Sequence, residues 1–169
     1  NHHCDAYWYT FGRYSPSVVD SMKEAIQGLA ADQCLILLGH SGGGTLAMLI
    51  ASQIPQVVAV ITLSGNLNVA GWQQYHDFTP LMGSLDPSAL APLSSRIRQI
   101  HISADGDNNV LSPWIEREAL RQQAEYQHWN VSGHQQWHMT WDRLELVLTE
   151  VKKKATCQQP DAGHEPDRQ

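Results

Sequence analysis

The chain has 169 residues, 42% of them hydrophobic and 17% charged. That length fits one domain, and the apolar share is enough for a core, which excludes a disordered chain. Eleven Lys and Arg stand against 17 Asp and Glu, a formal charge of -6 that repels a phosphate backbone and argues against nucleic acid as a partner.

Residues 1–15 contain His2, His3, Tyr7, Trp8, Tyr9, Phe11 and Tyr14 with no clean period, and read as an irregular entry segment. Ser15-Pro16 then signals a helix start, with Ser as N-cap and Pro in the first turn. Val18, Val19, Met22, Ala25, Ile26 and Leu29 follow at helical spacing, which predicts an amphipathic helix over about 16–30. A continuous apolar strand is expected over about 33–38. Cys34 opens it and is expected as a buried, inert thiol. Cys4, Cys34 and Cys157 form no C-x-x-C pair, which argues against a disulfide framework and a zinc ribbon. Gly39 to Gly44 turn the chain into an apolar helix, Thr45 to Gln53, stopped by Pro55. Further strands are predicted at Val57–Leu63, Gln99–Ser103 and Glu125–Val131. Helices are predicted at Pro113–Ala124 and Trp141–Lys154, the last with Lys152, Lys153 and Lys154 at its negative end.

This alternation of strand and helix predicts an α/β domain over 1–154, with a parallel sheet covered on both faces. Residues 65–97 make an excursion with Trp72, His76, Pro80, Gly83, Pro87 and Pro92, expected as an ordered loop or small cap. The polar stretch 155–169 is expected to be disordered. No apolar run reaches the ~18 residues of a membrane-spanning helix. No signal peptide is legible in a sequence that opens at Asn1.

The residues with the most chemical content are Gly39-His40-Ser41-Gly42-Gly43, a G-x-S-x-G between a buried strand and an apolar helix. Such a turn is so tight that its flanking residues must be small. It lifts the Ser above the sheet edge on a strained backbone, at the positive end of the following helix. The Gly42 N–H is then one oxyanion donor. A P-loop is disfavoured because the G-K-[ST] ending is missing.

At this motif the chain resembles the α/β-hydrolase family. The resemblance implies a partial α/β-hydrolase fold and a chain order of Ser, acid, His. The loop Ala104-Asp105-Gly106-Asp107-Asn108-Asn109-Val110-Leu111-Ser112-Pro113 is similar to the family's acid loop, in a register that selects Asp107, with Asp105 as runner-up. Val131-Ser132-Gly133-His134 sits where the family places its general base, with His138 as competitor. Ser41, Asp107 and His134 are thus expected to act as nucleophile, orienting acid and base on a small-molecule acyl substrate, through an acyl-enzyme and without cofactor or metal. An unperturbed His titrates near ~6.5, so activity is expected to rise through neutral pH.

Asn66-Leu67-Asn68, Trp72, His76, Pro80-Leu81 and Gly83-Ser84-Leu85-Asp86-Pro87 resemble a bacterial subgroup of the family that often carries export signals, which leans toward the cell envelope. That resemblance implies that Trp72 and His76 sit over the nucleophile and, with His40, shape the acyl pocket. The family's strands before the elbow strand, and the loop that gives a second oxyanion N–H, have no counterpart in residues 1–13. An unpaired apolar edge on the elbow strand is therefore expected, with homodimerisation across it as one repair. Two other readings use the same residues. One is a non-catalytic binding or structural domain of hydrolase ancestry. The other is a metal site on His134 and His138, or on His2, His3 and Cys4, which lacks a matching third ligand.

Overall fold

Apolar strands without alternation need cover on both faces, and that requirement organises the molecule. The computed structural model describes residues 5–30 and 33–155. In chain order the elements are α1 (Pro16–Leu29), β1 (Leu35–His40), α2 (Gly42–Ala51), β2 (Val57–Leu63), α3 (Val69–Tyr75), β3 (Arg98–Ala104), α4 (Ser112–Gln122), β4 (Glu125–Trp129) and α5 (Trp141–Lys154). Short 3₁₀ turns lie at Ala6–Tyr9, Pro87–Ala89 and Gln136–Thr140.

The strands form one parallel sheet in the order β1-β2-β3-β4, with Leu38 opposite Ile61, Ile61 opposite Ile100, and Ile102 opposite Gln127. β2 serves two cores, its side chains alternating between them from Ala59 on, past a register irregularity at its start. Val57 and Val60 pack with Val19 of α1 and Met48, Leu49 and Ile50 of α2. Ala59, Ile61 and Leu63 pack with Ile100, Ile102, Trp129 and, from α5, Leu144 and Val151. The α/β class and the parallel sheet read from the sequence are the ones observed. Among the described residues, no helix is long and apolar enough to cross a membrane.

Several boundaries move, each for a physical reason. The glycine turn is tighter than its composition suggests, and α2 starts at Gly42 directly after Ser41. β4 stops at Trp129 because the Val131 N–H turns back onto the Trp129 carbonyl at 2.8 Å. The excursion contains α3, capped by Asn68 Oδ1, which accepts from Gly71 N at 2.8 Å, and pinned by Asp86 Oδ2, which accepts from Ala70 N at 2.8 Å. The entry segment contains a 3₁₀ turn capped by Asp5.

The expectation for Cys34 is overturned. Cys34 is half-buried and disulfide-bonded, not a buried free thiol. It sits just before β1, which pairs on one side only among the described residues, so the apolar run does not enclose it. The other cysteines, Cys4 and Cys157, lie outside the described residues, as do His2, His3 and the expected disordered tail from residue 156 on.

Candidate active site

The elbow is built by close backbone approach. Ser41 has φ 53° and ψ -121°, a conformation that L-residues rarely adopt and that costs ~1–3 kcal/mol. A Cβ on Gly39 would collide with the Gly43 carbonyl, so only glycine lets β1 run into α2 this sharply. The surrounding backbone holds the strain. Ser41 N donates to Leu63 O at 3.0 Å, and Ser41 O accepts from Asn66 N at 3.1 Å. No side chain caps α2, so its first N–H groups stay free beside the Ser hydroxyl.

The two loops after β3 and β4 meet over that hydroxyl. Their backbones continue the ladder beyond the strands: Asp105 N donates to Trp129 O at 3.0 Å and Gly106 N to Val131 O at 2.9 Å. This brings His134 Nε2 to 2.9 Å from Ser41 Oγ and His134 Nδ1 to 2.7 Å from Asp107 Oδ2. A carboxylate only accepts, so Nδ1 carries the imidazole proton and Nε2 faces the Ser hydroxyl as acceptor. The Asp107 side chain is fully buried and that of His134 only 10% exposed. Burial alone would raise the Asp107 pKa. Hydrogen bonds from His134, from Val110 N at 3.0 Å and from Asn109 N at 2.9 Å outweigh it and hold the carboxyl below its ordinary value. The buried Ser64 hydroxyl also favours the carboxylate, although it completes no hydrogen bond of good distance and angle.

The alternative acid and base, Asp105 and His138, lie away from the Ser41 hydroxyl contact. Asp105 is largely exposed and pairs with His128 Nε2 at 2.6 Å. His138 is exposed on the 3₁₀ turn after the base loop. His134 is engaged by Asp107 and Ser41, and among the described residues no three His, Cys, Asp or Glu gather as a metal site.

His40 does something the motif does not reveal. Its Nε2 donates to the His134 carbonyl at 2.8 Å, and the two rings lie 4.8 Å apart. Burial lowers its pKa, against a smaller raising effect of that hydrogen bond. Trp72 and His76 pack on the acid loop: Trp72 Nε1 donates to Asn109 Oδ1 at 3.3 Å and His76 Nε2 to Asn109 O at 2.8 Å. Phe78 stacks on His76 at 5.2 Å, which completes an aromatic wall beside Asp107's neighbours. Sequence reasoning missed Ser64 and the His40–His134 link, since nothing in residue spacing signals either.

Neither a family model nor a curated protein matches the sequence. Solved structures do match the fold. An α/β hydrolase from the metagenome of lagoon sediments at Mar Chica, Morocco, aligns with a TM-score of 0.63 at 18% identity, over 82% of this chain and 69% of that one. The fold is that of the α/β hydrolases. A carboxylesterase of the thaumarchaeon Nitrososphaera gargenis aligns over 85% of this chain and 75% of its own, with a TM-score of 0.61 and 17% identity. The α/β hydrolase GrgF from Penicillium aligns over 81% and 72%, with a TM-score of 0.60 and 11% identity. The chain therefore spans about two thirds to three quarters of these α/β hydrolases.

Proposed function

We propose that this chain is a serine hydrolase that cleaves a carboxylic ester or related acyl bond. The observation that carries this reading is the unbroken hydrogen-bond chain from Asp107 Oδ2 through His134 to Ser41 Oγ, on a strained elbow. Esterases among the solved structures of the same fold agree with it.

Each step follows from that geometry. Ser41 Oγ attacks the acyl carbon as His134 Nε2 takes its proton, and Asp107 stabilises the imidazolium that results. Negative charge collects on the former carbonyl oxygen, where Gly42 N–H and the N-terminus of α2 stabilise it. His134 returns its proton to the leaving alcohol. Water then repeats the sequence on the acyl-enzyme and frees the acid. Trp72 and His76 form one wall of the acyl pocket, and His40 supports it from behind His134. The substrate is a small molecule, and no nucleic acid takes part. β1 is hydrogen-bonded on one side only among the described residues, and a second copy pairing there is the homodimer this reading expects. Sedimentation velocity over a concentration series reads that association, and a monomer throughout removes it.

The deciding experiment is intact-mass labelling with a fluorophosphonate, run beside Ser41→Ala and followed by a panel of p-nitrophenyl esters. One adduct on the native chain and none on Ser41→Ala is the expected result. A folded native chain that takes no label overturns the reading.

A further inference from the structure

Asp107 reaches His134 from a stretch of chain, 105–111, that belongs to no strand and no helix. An acid that orients a base must itself be held, and on the triad reading above the anchors of this loop decide how well His134 is aimed.

Asp107 divides the work between its two oxygens. Oδ2 meets His134 Nδ1 at 2.7 Å, while Oδ1 accepts from Asn109 N at 2.9 Å and Val110 N at 3.0 Å. The direction of Oδ2 is therefore set by where the backbone of Asn109 and Val110 lies. Both acceptors of Asn109 are taken by one distant segment. Its carbonyl accepts from His76 Nε2 at 2.8 Å, and its Oδ1 from Trp72 Nε1 at 3.3 Å, across 33 and 37 positions of sequence. A carbonyl only accepts, so His76 Nε2 carries a proton.

The segment that makes these contacts is itself fixed. Trp72 lies on α3, where its N–H donates to Asn68 O at 3.0 Å, and His76 N donates to Trp72 O at 3.2 Å. Asp77 then takes a φ of 54°, a left-handed conformation that Asp tolerates better than most residues. The chain reverses there, and Phe78 N donates back to Gln73 O at 3.0 Å. The reversal stacks Phe78 on His76, with centroids 5.2 Å apart and planes 16° from parallel. Trp72 and Tyr75 meet the same ring edge-to-face at 5.5 and 4.9 Å. Three aromatic rings thus fix the plane of His76, and with it the direction of its N–H.

We propose that His76 is a positioning residue for Asp107: through the backbone of Asn109 it sets the carboxylate that aims His134, with Trp72 as the second support. This role differs from that of a pocket wall, and the two predict different kinetics.

His76→Phe removes the N–H and keeps a ring to stack on Phe78. Hydrolysis of p-nitrophenyl acetate and the rate of Ser41 labelling by the fluorophosphonate are read for wild type, His76→Phe and His76→Gln, which retains an N–H. The expected result for His76→Phe is a kcat and a labelling rate each lowered about tenfold, with KM within about twofold, and recovery of most of both rates in His76→Gln. In an Asp107→Asn background the same His76→Phe change is expected to alter labelling less than about twofold, because the group it acts through is gone. A loss confined to KM, equal rates in the Phe and Gln variants, or a tenfold loss that persists beside Asp107→Asn overturns the positioning role and leaves the triad reading standing. A folded wild-type chain that neither labels nor hydrolyses overturns both. If His76→Phe fails to fold, Asn109→Ala decides, since it cuts only the Trp72 support. Lowered kcat with KM held supports the proposal, and unchanged kcat overturns it.

Discussion

His40 stands next to Ser41 in sequence, yet its contact is with the carbonyl of His134, two loops away. A carbonyl only accepts, so His40 Nε2 carries a proton, and burial keeps the ring neutral by lowering its pKa. A charged ring would sit 4.8 Å from the imidazole that becomes cationic in the proposed mechanism. His40→Phe strips the His134 carbonyl of a donor, a loss of ~1–3 kcal/mol that loosens the base. We predict that ester hydrolysis falls about tenfold in kcat with KM held, and that His40→Gln, which retains an N–H, restores most of it. Equal rates in the Phe and Gln variants would remove the positioning role. Asp107 is the sharper case. Asp107→Asn keeps the shape but can present an N–H to His134 Nδ1, which favours the wrong tautomer. A kcat loss of about 10⁴ is expected. Steady-state hydrolysis measures it, and activity within tenfold of wild type would show that His134 needs no carboxylate.

The elements were legible where hydrophobic period and punctuation agreed, and misread where backbone packing overrode composition. Ser15-Pro16 marked the start of α1 correctly because cap chemistry is local: Ser15 Oγ accepts from Val18 N at 3.4 Å. Three glycines, by contrast, looked like a loop, because helix propensity counts entropy and not the space available. The structure makes them the first turn of α2, and it separates their roles in a way that the motif does not. A Cβ on Gly44 would lie 2.8 Å from Gly65 Cα, where neither backbone can yield, while nothing stands within 4 Å of a Cβ on Gly43. Gly44→Ala is predicted to cost about 1–3 kcal/mol and to slow Ser41 labelling as α2 is pushed off the β2 turn. Gly43→Ala is predicted to be neutral or to gain up to about 1 kcal/mol from helix propensity. Urea melts of the two variants check both values, and the reverse order of stability would refute this packing. Of the candidate site, the meeting of Ser41, Asp107 and His134 is foreshadowed by their order, each after a strand end. Ser64 and the His40 link are not, since they arise from contacts between segments that no spacing rule joins.

Across the whole molecule, the sheet separates two cores, and its central strands must bury whatever side chains they carry. His101 of β3 alternates with Ile100 and Ile102 and so turns away from the core they share with α5. It is fully buried beside its register partner Thr62. Its Nδ1 meets Thr62 Oγ1 at 2.9 Å, and its Nε2 finds no partner among the described residues. Burial lowers its pKa from 6.5 to about 4. The sign of the consequence is fixed. Above pH 6.5 the ring is neutral in both folded and unfolded chains, and the full stability is present. Below it the unfolded chain takes up a proton that the folded one refuses, and stability falls until the folded ring also titrates near pH 4. Between pH 7 and 4.5 this one residue removes about 2–3 kcal/mol. Asp107 has its lowered pKa on the carboxylate side, so its loss comes only below the ordinary 3.8 and stays outside this window. His40 contributes in the same direction as His101 but is common to both arms of a comparison between wild type and His101→Phe. The Phe variant loses the Thr62 hydrogen bond equally at every pH, so its deficit is constant. Urea unfolding at pH 7 and pH 4.5 is therefore expected to show the wild type losing about 2–3 kcal/mol more than His101→Phe. Parallel losses in the two proteins would mean that water reaches Nε2 and that the ring titrates in the folded state.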